Sequence, residues 1–164
     1  MKSTATAFLI IAGVLLGGCT SVEKPRDYVP MLARFYLENP VTDGIPVTLP
    51  QSGVRLTVNS KPVLTEGDVA NVELVQVELG RCLLFQLTPS AARDFYRLSA
   101  TNQGRRMALF LNGRAMGARR IEGPITNGSI YMFIETPEGD LPALVENLKK
   151  TSAALQREVK RKGG

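Results

Sequence analysis

From Val72 to Leu79 the chain reads Val-Glu-Leu-Val-Gln-Val-Glu-Leu, alternating apolar and polar side chains for most of its length. Successive side chains on a strand point to opposite faces, so this period predicts one buried and one wet face. Gly80-Arg81 predicts a tight connection, and Cys82 to Leu87 predicts a returning strand in an antiparallel hairpin. Thr88-Pro89 then marks a helix start. Threonine accepts from free N–H groups at the first turn, and proline at the first helical position loses no useful donor. Ala91, Ala92, Phe95 and Leu98 form that helix's inward stripe, with Arg93, Asp94 and Arg97 facing out. Gly104 closes it as a residue free to take positive φ.

The rest of the chain continues in the same style. Met107 to Leu111 predicts a strand, Asn112-Gly113 a two-residue hairpin turn, and Ala115 to Ile121 the return. Pro124 to Gly128 reads as a loop before a strand over Ser129 to Glu135. Upstream, Met31 to Glu38, Ile45 to Leu49 and Val54 to Val58 are short strand candidates, with a turn at Thr42-Asp43-Gly44. Leu141, Leu144, Val145, Leu148, Leu155 and Val159 recur at helical spacing from about Asp140 to Lys162, and Pro142 fits the first turn. The economical arrangement is an α+β fold, an antiparallel sheet with two helices packed on one face.

The N-terminus has a different character. Lys2 precedes an apolar run, and Phe8 to Leu16 is too short to span a bilayer comfortably. Leu16, Gly17 and Gly18 lead straight into Cys19, a pattern that resembles the lipobox of bacterial lipoproteins. The resemblance implies cleavage before Cys19, diacylation of its thiol and usually acylation of the new amino group. Two or more chains hold a protein stably on a lipid surface. The implied organisation is a signal peptide at 1–18, a tether at 19–30 and a single domain at 31–162. Thr20 in place of aspartate implies the outer membrane of a two-membrane bacterium, with the protein facing the periplasm.

The net charge of +5 does not point to nucleic acid. Charges nearly cancel from Cys19 to Leu148, and the excess sits in Lys149, Lys150, Arg157, Lys160, Arg161 and Lys162 against Glu158. Cations suit a helix C-terminus; an electrostatic hold on anionic lipid or an acidic partner is the alternative. The chain has no histidine, which removes the triad and histidine–metal chemistries, and no Walker loop, GxSxG or dinucleotide fingerprint appears. Of the two cysteines, Cys82 reads as a small buried hydrophobe. Glu135, Glu138 and Asp140 fall at a strand-to-helix junction, where acids suit a helix N-terminus and a hard-cation site is the alternative. The reading is of a non-enzyme with no cofactor and no metal.

Leu87-Thr88-Pro89, Asn102-Gln103-Gly104, Arg105-Arg106, the apolar Met107–Leu111, Asn112-Gly113 and Pro124-Ile125 with Gly128 recur in this order in one family. The chain resembles the head subdomain in the first periplasmic domain of SecD, a protein-export translocase subunit with ferredoxin-like relatives. The likeness covers about 69–135, with a C-terminal helix following at about 140–162. It implies a fold rather than a catalytic site, since Thr88, Pro89, Asn102, Gly104, Asn112, Gly113, Pro124 and Gly128 each have a structural role. Asn112 stands where the family has aspartate. Gly117-Ala118-Arg119 stands for the family's Ser-Ala-Pro, which predicts a straighter, more pairable edge over Ala115–Ile121. SecD's membrane helices and intramembrane carboxylates have no counterpart, so no proton-driven motor is implied. Arg105, Arg106, Arg119 and Arg120 are candidates for a basic rim meeting acidic segments of an exported chain. Phe110, Tyr131 and Phe133 read as core. Two partners are compatible with these features: exported polypeptides, or an envelope complex in which the protein is a scaffold.

Overall fold

The alternation at Val72 is realised as an edge strand in a computed structural model that describes residues 27–41 and 43–162. The signal, the lipobox with Cys19, the first part of the tether and Thr42 lie outside the described residues. In chain order the elements are β1 (Ala33–Leu37), β2 (Ile45–Thr48), β3 (Arg55–Val58), β4 (Val69–Val77), β5 (Gly80–Leu87), α1 (Pro89–Thr101), β6 (Arg106–Leu111), β7 (Arg114–Arg120), β8 (Ser129–Met132) and α2 (Leu141–Lys162).

The fold is α+β, and its antiparallel strands are divided among three ladders, β1-β6-β7, β2-β3 and β4-β5-β8. Phe35 of β1, Met107 and Leu109 of β6, Val72 of β4, Leu83 and Phe85 of β5, and Ile130 and Met132 of β8 share one core. Phe95 of α1 and Leu141, Val145 and Leu148 of α2 complete it, so both helices close the same core. A smaller cluster of Leu49, Leu56, Val58 and Ala108 holds the β2-β3 hairpin on the other side of β6.

The helix start is built as its residues predict. Thr88 Oγ1 accepts the Ala91 N–H at 3.4 Å, and Pro89 takes the first helical position. Ser99 sits fully buried on the inward stripe, donating to the Tyr96 carbonyl and accepting the Ile125 amide at 2.9 Å. At Asn112-Gly113 both residues adopt positive φ, 46° and 81°, the twist a two-residue hairpin requires. The family's aspartate at this turn could only accept. The Asn112 amide accepts the Leu32 N–H at 2.8 Å and also donates to the Pro30 carbonyl at 3.3 Å.

Four local expectations are corrected. The tight connection after β4 is Glu78-Leu79 rather than Gly80-Arg81, because Gly80 already pairs with Val77. Leu79, expected within the strand, therefore lies in the turn and is 85% exposed. The strand expected over Ser129 to Glu135 ends at Met132, since Glu135 donates its N–H to the Met116 carbonyl at 2.7 Å on β7. The β7 edge is bulged rather than straight. Phe110 pairs with Ala115 and Leu109 with Gly117, leaving Met116 as the extra residue.

Of the expected tether, the final residues lie along α2. Lys150 Nζ pairs with Asp27 at 3.1 Å, and the Val29 N–H donates to Asn147 at 3.2 Å. The Met31 N–H continues the series onto Thr151 Oγ1 at 3.0 Å, which starts β1 only at Ala33.

Candidate functional site

The four candidate arginines are split between two places. Arg105 and Arg106 converge on Glu38, just past the end of β1. Arg105 donates to the Glu38 carbonyl and the Asn102 side chain; Arg106 donates to the Glu38 carboxylate through its backbone N–H at 2.9 Å and through its guanidinium. These bonds tie the α1–β6 corner to β1. Asn102 also donates to the Leu98 carbonyl at 2.9 Å, and Gly104 turns the chain at φ 84° with its N–H on the Ile121 carbonyl. The Asn-x-Gly and double-arginine motifs thus serve architecture, and this pair does not form an open basic rim.

The Arg106 hydrogen bonds hold the Glu38 carboxyl below its ordinary range, outweighing the opposing effect of burial. A depressed carboxylate stabilises the fold above its unfolded value, about 4.3, and that contribution is lost as pH falls through the lower folded value. Glu38→Gln is expected to cost about 1–2 kcal/mol at neutral pH. Below about pH 4 the gap from the parent should narrow. Denaturant unfolding of both proteins at neutral and acid pH checks this; a gap that stays constant across that range contradicts it.

Arg119 and Arg120 lie elsewhere, at the seam between the two three-stranded ladders. With Val77, Leu79, Glu122, Tyr131 and Phe133 they line a shallow groove of about 440 Å³. The β4–β5 hairpin tip supplies Val77 and Leu79, β7 the two arginines, and β8 with its continuation the two aromatics. Arg119 donates to the Tyr131 carbonyl at 2.9 Å, which fixes its stem across the seam. Tyr131 and Phe133 are each 41% exposed, so their assignment to the core is corrected. Phe110 is half-buried against Tyr36, ring centroids 4.5 Å apart.

Register explains the exposure. Leu84 lies opposite Tyr131 on one side and Glu73 on the other, so the three share a face. That face is the reverse of the one where Val72, Leu83 and Phe85 join the core. Three exposed apolar side chains beside two guanidinium groups suit contact with an extended chain that carries apolar and acidic residues. Cys82 is buried, and burial pushes its thiol up.

The acidic trio at the β8–α2 junction is also dispersed. Glu135 turns to the β2-β3 loop, accepting from the Gln51 and Ser52 amides at 2.8 and 3.0 Å and from the Ser52 hydroxyl. Glu138 lies 3.6 Å from Arg81. Among the described residues no three potential ligands gather for a metal ion. Pro124 and Gly128 frame the loop behind α1. Gly128, at φ 63°, brings its backbone against Ala92 and accepts the Leu87 N–H at 2.9 Å.

No protein-family model matches the chain. No curated protein is significantly similar to it. Solved structures are. A SecDF structure described as a membrane component that enhances protein export aligns with 75% of this chain and 63% of its own, at TM-score 0.57 and 19% identity. SecDF in a super-membrane-facing form aligns at TM-score 0.59 and 19% identity, over 74% of this chain and 18% of its own. SecDF from Thermus thermophilus, a translocon-associated membrane protein, aligns at TM-score 0.51 and 20% identity, over 76% and 20%. The fold is therefore SecD-like. The chain spans less than two thirds of each of these structures, and among the described residues no helix is long and apolar enough to cross a membrane.

Proposed function

We propose that this protein is a non-catalytic lipoprotein whose SecD-like domain contacts exported polypeptides in the periplasm. In this reading, acylated Cys19 holds it on the membrane, the outer one in a two-membrane bacterium. The observation that carries the client-binding role is the groove of Leu79, Tyr131, Phe133, Arg119 and Arg120, exposed on a sheet face that neither helix closes. The likeness of the fold to SecDF, a component that enhances protein export, supports the same direction. The Leu16–Cys19 pattern supports the anchor.

Two measurements test the reading separately. Mass analysis of the mature protein should find the acyl groups on Cys19, and Cys19→Ser should release the protein from membranes or leave it unprocessed. An unchanged mass and unchanged extraction would refute the anchor. For the groove, the purified protein is titrated with a permanently unfolded polypeptide. Leu79→Asn combined with Phe133→Ser should raise the Kd by roughly tenfold or more, since central apolar contacts carry most of such binding energy. Both side chains are exposed, so the melting temperature should hold. Equal affinity in the variant rejects the groove, and one stoichiometric envelope partner in place of many clients favours the scaffold role.

A further inference from the structure

We infer that the C-terminal tip of α2 is a second membrane contact, seating on the anionic lipid surface that the Cys19 tether reaches. The inference rests on the lipoprotein reading. Among the described residues, the last one of α2 hydrogen-bonded to the body is Gln156, whose amide donates to the Gly67 and Val69 carbonyls at 3.0 and 3.2 Å. Every residue from Arg157 to Lys162 is exposed. This overhang carries Arg157, Lys160, Arg161 and Lys162 against Glu158 alone. Val159 continues the line of Leu148, Ser152 and Leu155 but is 59% exposed, lying past Gln156, which already sits on Val69 at the first residue of β4. Basic side chains around one apolar residue at a helix end suit an interface of anionic headgroups. Lysine and arginine at a helix C-terminus also complement the dipole, but the dipole does not require the tip to project past its support.

Tether geometry selects lipid as the occupant. Asp27 lies on Lys150, twelve residues before Lys162, or about 18 Å along the helix. Eight peptide steps separate Cys19 from Asp27, a reach of about 28 Å when extended. A membrane-held Cys19 therefore keeps the tip within reach of the same surface, and seating becomes an intramolecular event at high effective concentration. It also orients the groove. Leu141, at the start of α2, lies by Gln76, Gly80 and Arg81, and Gln156 lies by Val69, so α2 runs antiparallel to β4. The basic tip and the Leu79 hairpin are at opposite ends of a helix about 33 Å long. With the tip on lipid, the groove points away from the membrane.

The test uses the full lipidated protein in vesicles, with Val159→Cys carrying a nitroxide; buried Cys82 stays unlabelled. On phosphatidylglycerol-rich vesicles the label should be protected from a water-soluble relaxant. Protection should be lost on pure phosphatidylcholine, in high salt, or when Lys160, Arg161 and Lys162 are all changed to Glu. Loss of three interfacial cations alone should weaken seating roughly a hundredfold, and the three added carboxylates should weaken it further. Equal exposure on both vesicle types, with the acyl groups present on Cys19, overturns this inference and leaves the anchor intact. Protection that arises only on adding an acidic protein also overturns it. An unmodified Cys19 overturns both.

Discussion

Phe35→Ala is expected to lower the unfolding free energy by about 3–5 kcal/mol, the range for truncating a buried aromatic. Phe35 is fully buried and meets Phe85 edge-to-face, ring centroids 5.0 Å apart. The two rings come from β1 and β5, which belong to different ladders, so this contact joins sheets that share no strand. The Phe35 backbone is committed as well, with its N–H on the Leu64 carbonyl at 2.9 Å and its carbonyl accepting the Val63 N–H at 2.7 Å. Collapse around the missing ring is therefore hindered, which places the cost toward the cavity-forming end. Chemical denaturation measures it directly. Phe35→Leu should cost clearly less, and a loss below about 1 kcal/mol for the alanine variant would contradict the bridging role.

Gly117→Ala is expected to cost about 2–4 kcal/mol, through overpacking rather than a cavity. An added Cβ would run into the Phe133 carbonyl, and also meet Met132. The obstacle is backbone and cannot swing aside as the end of a flexible side chain can. Relief requires β7 and the segment after β8 to separate, which breaks the Glu135 N–H bond to the Met116 carbonyl and moves Phe133 within the groove. The substitution should thus lower both stability and polypeptide affinity. Gly139→Ala is the control. Beyond its chain neighbours no heavy atom lies within 4 Å of the added Cβ there, and its effect should stay within about 0.5 kcal/mol. Equal melting temperatures for the two variants would show that the seam is not closely packed.

The sequence carried the parts of this fold that depend on neighbours. Thr88-Pro89, Asn112-Gly113, the α1 stripe and the alternation through Val72 are local signals, and each appears where its chemistry requires. The stripe of α2 is legible too, but a helical wheel cannot say where the sheet beneath it ends, so Val159 reads as core. The groove was hidden for related reasons. Glu78-Leu79 contains no favoured turn residue, and the adjacent Gly80 drew the turn to itself. Tyr131 and Phe133 have the composition of core, and only the β5–β8 register and the crossing at Gly117 show which face they take. Arg105 and Arg106 were legible as a basic pair, but their acceptor, Glu38, is 67 and 68 residues away in the chain. Gly117-Ala118-Arg119 in place of Ser-Ala-Pro predicted a straighter, more pairable edge because a sequence does not show that the segment after β8 packs its Phe133 carbonyl against Gly117.

Photocrosslinking in living cells from a reactive amino acid at position 131 tests client binding at the groove directly. A polypeptide-binding groove should give many crosslinked products, with the masses of newly exported proteins, that diminish when export is blocked. The same probe at the exposed Arg93 on the outer face of α1 should give few. A single stoichiometric product at position 131, unchanged when export is blocked, would contradict a polypeptide-binding groove and make this face an envelope-complex interface.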